Sequence, residues 1–224
     1  MDFRLSDEQR MLDESAARFF ETEFPFKTYR DALTSRQVFD PSRWQKMTDL
    51  GWLACAFPES VGGYGGTLVD AQLIARRMGE RLALDPWLSL VVVPGKLLEF
   101  LGNSASMALL TAIVCGDSRV ALACYEAASH HDPLLVETRL TARQGEWVLN
   151  GRKSIVEAGA SVDYLLVTAR DDSGNFDDRF LCFSALPKNY DHRKICQVFV
   201  DRSYVDHYLD YLCRNYTFQS QFSF

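Results

Sequence analysis

Apolar positions recur with a helical period through the first half of the chain. Ser6-Asp7-Glu8-Gln9 has the form of a capping box, in which Ser6 accepts from the Gln9 amide while the Gln9 side chain reaches back to the Ser6 amide. Leu12, Ala16, Phe19 and Phe20 then fall on one face and predict a first helix. Asp40-Pro41 is a cap with proline in the first turn, followed by Trp44, Met47 and Leu50 along one side of a second helix that Gly51 stops. Thr67, with Asp70 in the matching position, caps a third helix carrying Val69, Leu73, Arg77 and Leu84, which Asp85-Pro86 interrupts. Segments 86–101 and 104–114 predict two more helices. The first of these is apolar almost throughout, so it belongs in a core, and Pro94-Gly95 marks a kink or break in it.

After residue 117 the period changes to that of strands. Val120 to Tyr125, Leu134 to Ala142, Trp147 to Leu149, Ile155-Val156, Tyr164 to Ala169 and Phe180 to Phe183 are short runs of aliphatic and aromatic residues divided by turn residues. Asn150-Gly151 between two of them is a two-residue hairpin signal, because both residues tolerate positive φ. Helices first and strands afterwards define an α+β chain and argue against the βαβ alternation of a Rossmann fold. The expected architecture is an all-α N-terminal domain (1–116), then an antiparallel β-barrel-like middle domain (117–188), then an atypical tail (189–224).

The formal net charge of -6 argues against nucleic acid as a partner, since phosphate neutralisation needs a surplus of Lys and Arg on some face. The longest apolar runs fall far short of the ~20 residues that span a bilayer. The acidic N-terminus lacks the basic-then-apolar order of a secretory signal, which places the protein in the cytoplasm. Six dispersed cysteines without a CxxC pair indicate neither a disulfide framework nor a zinc site.

Candidate chemistry is sparse. The glycine loop Gly62-Gly63-Tyr64-Gly65-Gly66 invites a phosphate-cradle reading, but it lacks the P-loop lysine and does not follow a parallel strand, so it reads as a structural turn. His130-His131-Asp132 near Cys124 and Glu126 lacks metal-ligand spacing, and adjacent histidines on a strand face opposite ways. No GxSxG elbow supports a serine hydrolase. Glu126, Glu137, Glu146 and Glu157 lie in or beside strands, and any of them would serve as a general base if it sat in a cleft.

Several segments, in order, resemble the acyl-CoA dehydrogenase family over residues 1 to about 187. They are the opening through Leu5-Ser6-Asp7-Glu8-Gln9, Gly51-Trp52-Leu53 leading into Pro58-Glu59-Ser60-Val61-Gly62-Gly63-Tyr64-Gly65, the hairpin Leu149-Asn150-Gly151-Arg152-Lys153, and the strand Asp163-Tyr164-Leu165-Leu166-Val167-Thr168-Ala169-Arg170. The resemblance implies a flavoprotein with FAD against the β domain. Its reaction would be α,β-dehydrogenation of an acyl-CoA thioester, with a carboxylate from a later helical domain removing the α-proton and hydride passing to the flavin. It further implies that the flavin meets Leu122, Cys124, Tyr125 and His131, from the segment aligning with the family's (Y/F)xxTEPxAGSD pattern, and Ile155, Val156 and Glu157, from the segment aligning with its W-I-(S/T) run. Only Glu126 and Asp132 keep the first pattern, and the second loses its aromatic wall and small hydroxyl.

Lys153-Ser154, Val156 and Gly159 are similar to a KSxVxxG run in the small-subunit branch related to pimeloyl-CoA dehydrogenase. A carboxylate at Glu157 is awkward there, because it would repel a reduced, anionic flavin unless protonated or turned away. The likeness stops near Asn189. From Tyr190 to Phe224 the chain holds five of its nine tyrosines, four Lys or Arg against four Asp, and no glycine. The expectation is a truncated or frameshifted product without the C-terminal helical bundle, inactive alone. The alternative is a genuine terminus in which Val198-Phe199-Val200 completes a strand and Tyr204, Tyr208 and Tyr211 share a helical face. A second functional expectation is a non-catalytic subunit that forms a hetero-oligomer with a full-length dehydrogenase through an apolar face around Trp87 to Leu101; a homo-oligomer is equally compatible.

Overall fold

The computed structural model describes residues 4–35, 39–130, 132, 135–143, 146–159, 162–171, 179–185 and 198–201, with backbone alone for 142, 143, 146–148, 171, 179–185 and 198–201. Two compact units emerge, Met1–Leu88 with Leu110–Asp117, and Ser89–Leu109 with Ser118–Phe224.

The first unit is helical. α1 (Asp7–Glu23) begins with the expected capping box, Ser6 accepting from the Gln9 amide at 3.2 Å and donating its own amide to Gln9 at 3.1 Å. α3 (Pro41–Asp49) is capped by Asp40, and α4 (Leu68–Glu80) by the reciprocal Thr67–Asp70 pair. Between α1 and α3 stands α2 (Phe26–Ser35), which the periodicity did not reveal because none of its residues is buried. α1 packs on α4, and Phe20, Trp52, Phe57, Met47 and Ile74 close the core with essentially no exposure. Trp52 receives Phe19 and Phe20 at centroid distances of 4.9 and 5.4 Å, within the range favourable for aromatic pairs.

α4 stops at Glu80, before Leu84, and Leu82 sits at φ 54° in the left-handed region. The kink expected at Pro94 is a π turn over Leu88–Val92 running into α5 (Val93–Leu101). Proline has no amide to donate, and its ring collides with the carbonyl four residues back, so the preceding turn widens. α6 (Ser104–Val114) follows as expected.

The second unit holds β1 (Val120–Ala123), β2 (Arg139–Arg143), β3 (Glu146–Asn150), β4 (Tyr164–Asp171), β5 (Arg179–Ala185) and β6 (Val198–Asp201). The order is β3-β2-β4-β5-β6, with β1 also on β4, and β3 and β6 approach one another so that the sheet curls. Pairing is antiparallel for β2–β3, β4–β5 and β5–β6, but β4 receives both β1 and the end of β2 in parallel, a departure from a wholly antiparallel barrel. β4 can accept them because it is a central strand: Leu166, Val167, Thr168 and Ala169 are buried on both faces. β6 realises the strand expected at Val198-Phe199-Val200.

Asn150-Gly151 is not the expected hairpin turn. β3 ends at Asn150, neither residue has positive φ, and β3 pairs back on the preceding strand β2, with Arg143 opposite Glu146 and Arg139 opposite Asn150. Gly151 is required for space: a Cβ there would lie 2.3 Å from Thr138 Oγ1 and 2.7 Å from Thr138 Cα. α5 packs on β1, and Trp87, Leu90, Val91, Leu97 and Leu98 are at most 1% exposed. Most of the apolar face around Trp87 to Leu101, expected to dock a partner, is therefore interior, with Phe100 left exposed. No helix among the described residues is long and apolar enough to cross a membrane.

Candidate functional site

The two segments assigned to a flavin meet in the β unit. β1 runs parallel to β4 as far as Ala123↔Val167, after which the chain leaves the ladder. Tyr125 then forms an isolated antiparallel bridge with Ile155, closed by the Ser154 amide donating to the Tyr125 carbonyl at 2.9 Å. Glu126 opens a 3-10 turn over Ala127–Ser129, tied by the Ser129 hydroxyl donating to the Glu126 carbonyl at 2.9 Å. His130 ends that turn at φ 46°, in the position where the family pattern has glycine.

Beneath the bridge lies a buried polar cluster. Glu126 Oε1 accepts from Lys153 Nζ at 2.7 Å, Thr138 Oγ1 at 2.6 Å and the Thr138 amide at 3.0 Å, and Oε2 accepts from the Glu137 amide at 2.7 Å. Lys153 Nζ also donates to Thr168 Oγ1 at 2.9 Å. The side chains of Glu126 and Lys153 are 3% and 7% exposed. A carboxylate removed from water so completely is tolerable only when paired and hydrogen-bonded. Desolvation pushes its pKa up, and the Lys153, Thr138 and backbone hydrogen bonds outweigh it, holding Glu126 below the usual carboxylate range. Ionised and saturated with donors, Glu126 is not a proton acceptor for a substrate.

The seven residues aligned with the flavin contacts are placed as follows. Leu122, Tyr125 and Ile155 are half-buried, with side chains partly accessible. Cys124 and Val156 are 3% and 1% exposed, so a ligand there meets their main chain. Glu157 is exposed, yet its carboxyl is crowded: desolvation raises its pKa, against an opposing hydrogen bond with Ser89. The next residue, Ala158, has φ 55°, a left-handed conformation that turns the chain sharply after the segment. His131 lies outside the described residues.

Of the other candidate bases, Glu137 is exposed, and the side chain of Glu146 lies outside the described residues. Among the described residues no three His, Cys, Asp or Glu side chains come together as a metal site. The glycine loop is a packing device. The amides of Gly62, Gly63, Tyr64 and Gly65 donate inward to Glu59, Pro58, Ala54 and Phe57 carbonyls, which leaves those donors no phosphate to cradle. Lys153, Thr138 and Thr168 were not singled out in the sequence as partners for Glu126. A usable signal existed in Thr168, a polar residue inside the apolar run 164–169.

The residues 6–100 match the family model for the acyl-CoA dehydrogenase N-terminal domain. Over that stretch the chain is similar to the N-terminal domain of acyl-CoA dehydrogenases. It is 28% identical over 173 residues to benzylmalonyl-CoA dehydrogenase of Aromatoleum aromaticum, covering 76% of this chain and 45% of that protein. Among solved structures it resembles butyryl-CoA dehydrogenase from Megasphaera elsdenii (TM-score 0.70, 22% identity, 84% of this chain and 50% of that one). It also resembles the heteromeric ChsE4-ChsE5 complex from Mycobacterium tuberculosis (TM-score 0.71, 24% identity, 83% and 49%). The chain thus spans about half the length of the relatives it matches.

Proposed function

We propose that the chain holds FAD against its β unit and serves the α,β-dehydrogenation of an acyl-CoA thioester. The observation that carries this is the Tyr125↔Ile155 bridge, which unites the two segments that align with the family's flavin-contacting motifs. The fit is good for a main-chain site. β1 pairs with β4 alone among the described residues, Cys124 and Val156 turn their side chains inward, and Leu122, Tyr125 and Ile155 leave partly accessible surface for an aromatic ring system. Glu157, the awkward position, is eased by its surroundings, since a carboxyl whose pKa is raised has a greater neutral fraction beside an electron-rich ring.

When bound, FAD supplies the hydride acceptor, and the chain's part is to orient it and exclude water. The α-proton is not assigned to Glu126, whose oxygens are already occupied by four donors. The base is proposed to come from outside the described residues. The likeness of Lys153-Ser154, Val156 and Gly159 to the small-subunit branch supports a heteromeric enzyme, although most of the face expected to dock a partner is interior. Titration of the purified chain with FAD, followed by the flavin absorbance and its fluorescence, tests the proposal. Saturable binding near one equivalent is expected, and cofactor that washes away on desalting with no spectral change would refute it.

A further inference from the structure

Three segments distant in sequence converge on one buried carboxylate: Tyr125-Glu126, Glu137-Thr138, and Lys153 with the strand that follows it. The bridge above them is a single residue pair, Tyr125↔Ile155, which is a short contact to hold two segments in register. We infer that the Glu126–Lys153 ion pair, steadied by Thr138 and Thr168, is the latch that holds the two flavin-facing segments together, and that both residues position the cofactor without touching it.

Geometry supports the assignment at both ends. Lys153 is adjacent to Ser154, whose amide makes the bridging hydrogen bond, and Glu126 is adjacent to Tyr125, whose carbonyl receives it, so the ion pair and the hydrogen bond are rungs one residue apart. Lys153 Nζ is fixed a second time by Thr168 Oγ1 on β4, the strand that also carries β1, so the latch is referenced to the centre of the sheet. Thr138 is clamped from the far side by Gly151, where any side chain would strike it. Removing one partner of such a pair leaves a buried charge uncompensated, a cost that local opening of the bridge would relieve by admitting water.

The effect on the chain rests on this geometry alone, and the effect on cofactor rests on the FAD reading above. The test therefore has two readouts on the full chain, for wild type, Lys153→Met and the milder Thr168→Val, which keeps the ion pair and removes one of its supports. The first is amide hydrogen exchange at Ser154, compared with the Asp163 amide, which donates to the Arg119 carbonyl at 2.9 Å in the same unit. Protection at Ser154 should fall at least about tenfold in Lys153→Met, and less in Thr168→Val, with Asp163 little changed. The second is FAD titration with the band shape of the bound flavin. If the latch is closed in only about one molecule in ten, the apparent Kd rises about tenfold and the bound spectrum moves toward that of free flavin. Unchanged protection at Ser154, or a uniform loss at both amides, overturns the latch whether or not FAD binds. Selective loss at Ser154 with unaltered FAD affinity and spectrum overturns the positioning role. A wild type that binds no FAD while Ser154 responds refutes the FAD reading and its positioning role, and leaves the latch standing as a joint of the β unit.

Discussion

Three glycine-to-alanine substitutions in the helical unit should have three different outcomes, because their surroundings differ in kind. At Gly63 a Cβ would lie 2.1 Å from the Phe57 carbonyl oxygen and 2.4 Å from its carbon, both backbone atoms that no rotamer change can clear. The Phe57–Pro58 peptide would have to retreat by more than an ångström. It would carry with it the hydrogen bonds from Gly63 to Pro58 (3.0 Å) and from Gly65 to Phe57 (2.8 Å). Two weakened hydrogen bonds at about 1 kcal/mol each and overpacking at about 1–3 kcal/mol put Gly63→Ala at roughly 3–5 kcal/mol destabilising. Gly65 has φ +68° but nothing within 4 Å of a Cβ. Only the left-handed strain remains, so Gly65→Ala should cost about 1–2 kcal/mol. Gly79 lies within α4 with ordinary φ and open space, and Gly79→Ala should stabilise by up to about 1 kcal/mol. Trp44, Trp52 and Trp87 all lie in this unit, so indole fluorescence through a urea titration reports chiefly on it. Equal costs at Gly63 and Gly65, or a destabilised Gly79→Ala, would refute the reasoning.

Other substitutions test separate parts of the structure. Asp13, buried between α1 and α4, is held below the ordinary value of 3.8 by the Arg77 hydrogen bond, with Arg76 assisting against the opposing effect of burial. A depressed folded-state pKa contributes stability that is present above 3.8 and lost as pH falls below it. Wild type should therefore lose more stability than Asp13→Asn between pH 5 and 2, measured as midpoints of thermal melts, and parallel profiles would count against the ion cluster. Gly151→Ala should push Thr138 off Glu126 and cost the β unit about 2–3 kcal/mol, read as faster exchange of β4 amides; normal exchange would contradict the close approach. His130→Gly should stabilise by about 1 kcal/mol by relieving its left-handed φ, and a loss of stability would show that the imidazole makes contacts of its own.

The parts of the fold legible in the sequence were those specified by neighbours. Ser6 with Gln9 and Thr67 with Asp70 declare helix starts within four residues, and both capping boxes form. Proline at 94 foretold an irregular turn because the clash it causes is local. α2 escaped because Phe26 and Leu33 stay exposed and Tyr29 only half-buried, so its apolar spacing records no burial. Strand direction was illegible for a different reason: whether β4 accepts β1 and β2 in parallel depends on long connections, and period-two alternation carries no sign of direction. Asn150-Gly151 misled because glycine serves two purposes, positive φ and absence of a Cβ, and here the second governs.

The candidate site divides the same way. Leu122, Tyr125 and Ile155 could be named from motif order, and the structure brings the last two together. The pair Glu126–Lys153 is separated by 27 residues, and only the fold shows that one neutralises the other. Glu126 accordingly changes from a candidate base to a structural carboxylate, while Glu157 is the carboxyl that desolvation pushes above its ordinary value.

Hydrogen exchange of the intact chain with and without excess FAD addresses the account most directly. Slowed exchange is expected at 122–126 and at 154–157 together, with the helical segments 7–23 and 41–49 unaffected. Protection confined to other segments, or none at either flavin-facing segment, would contradict it.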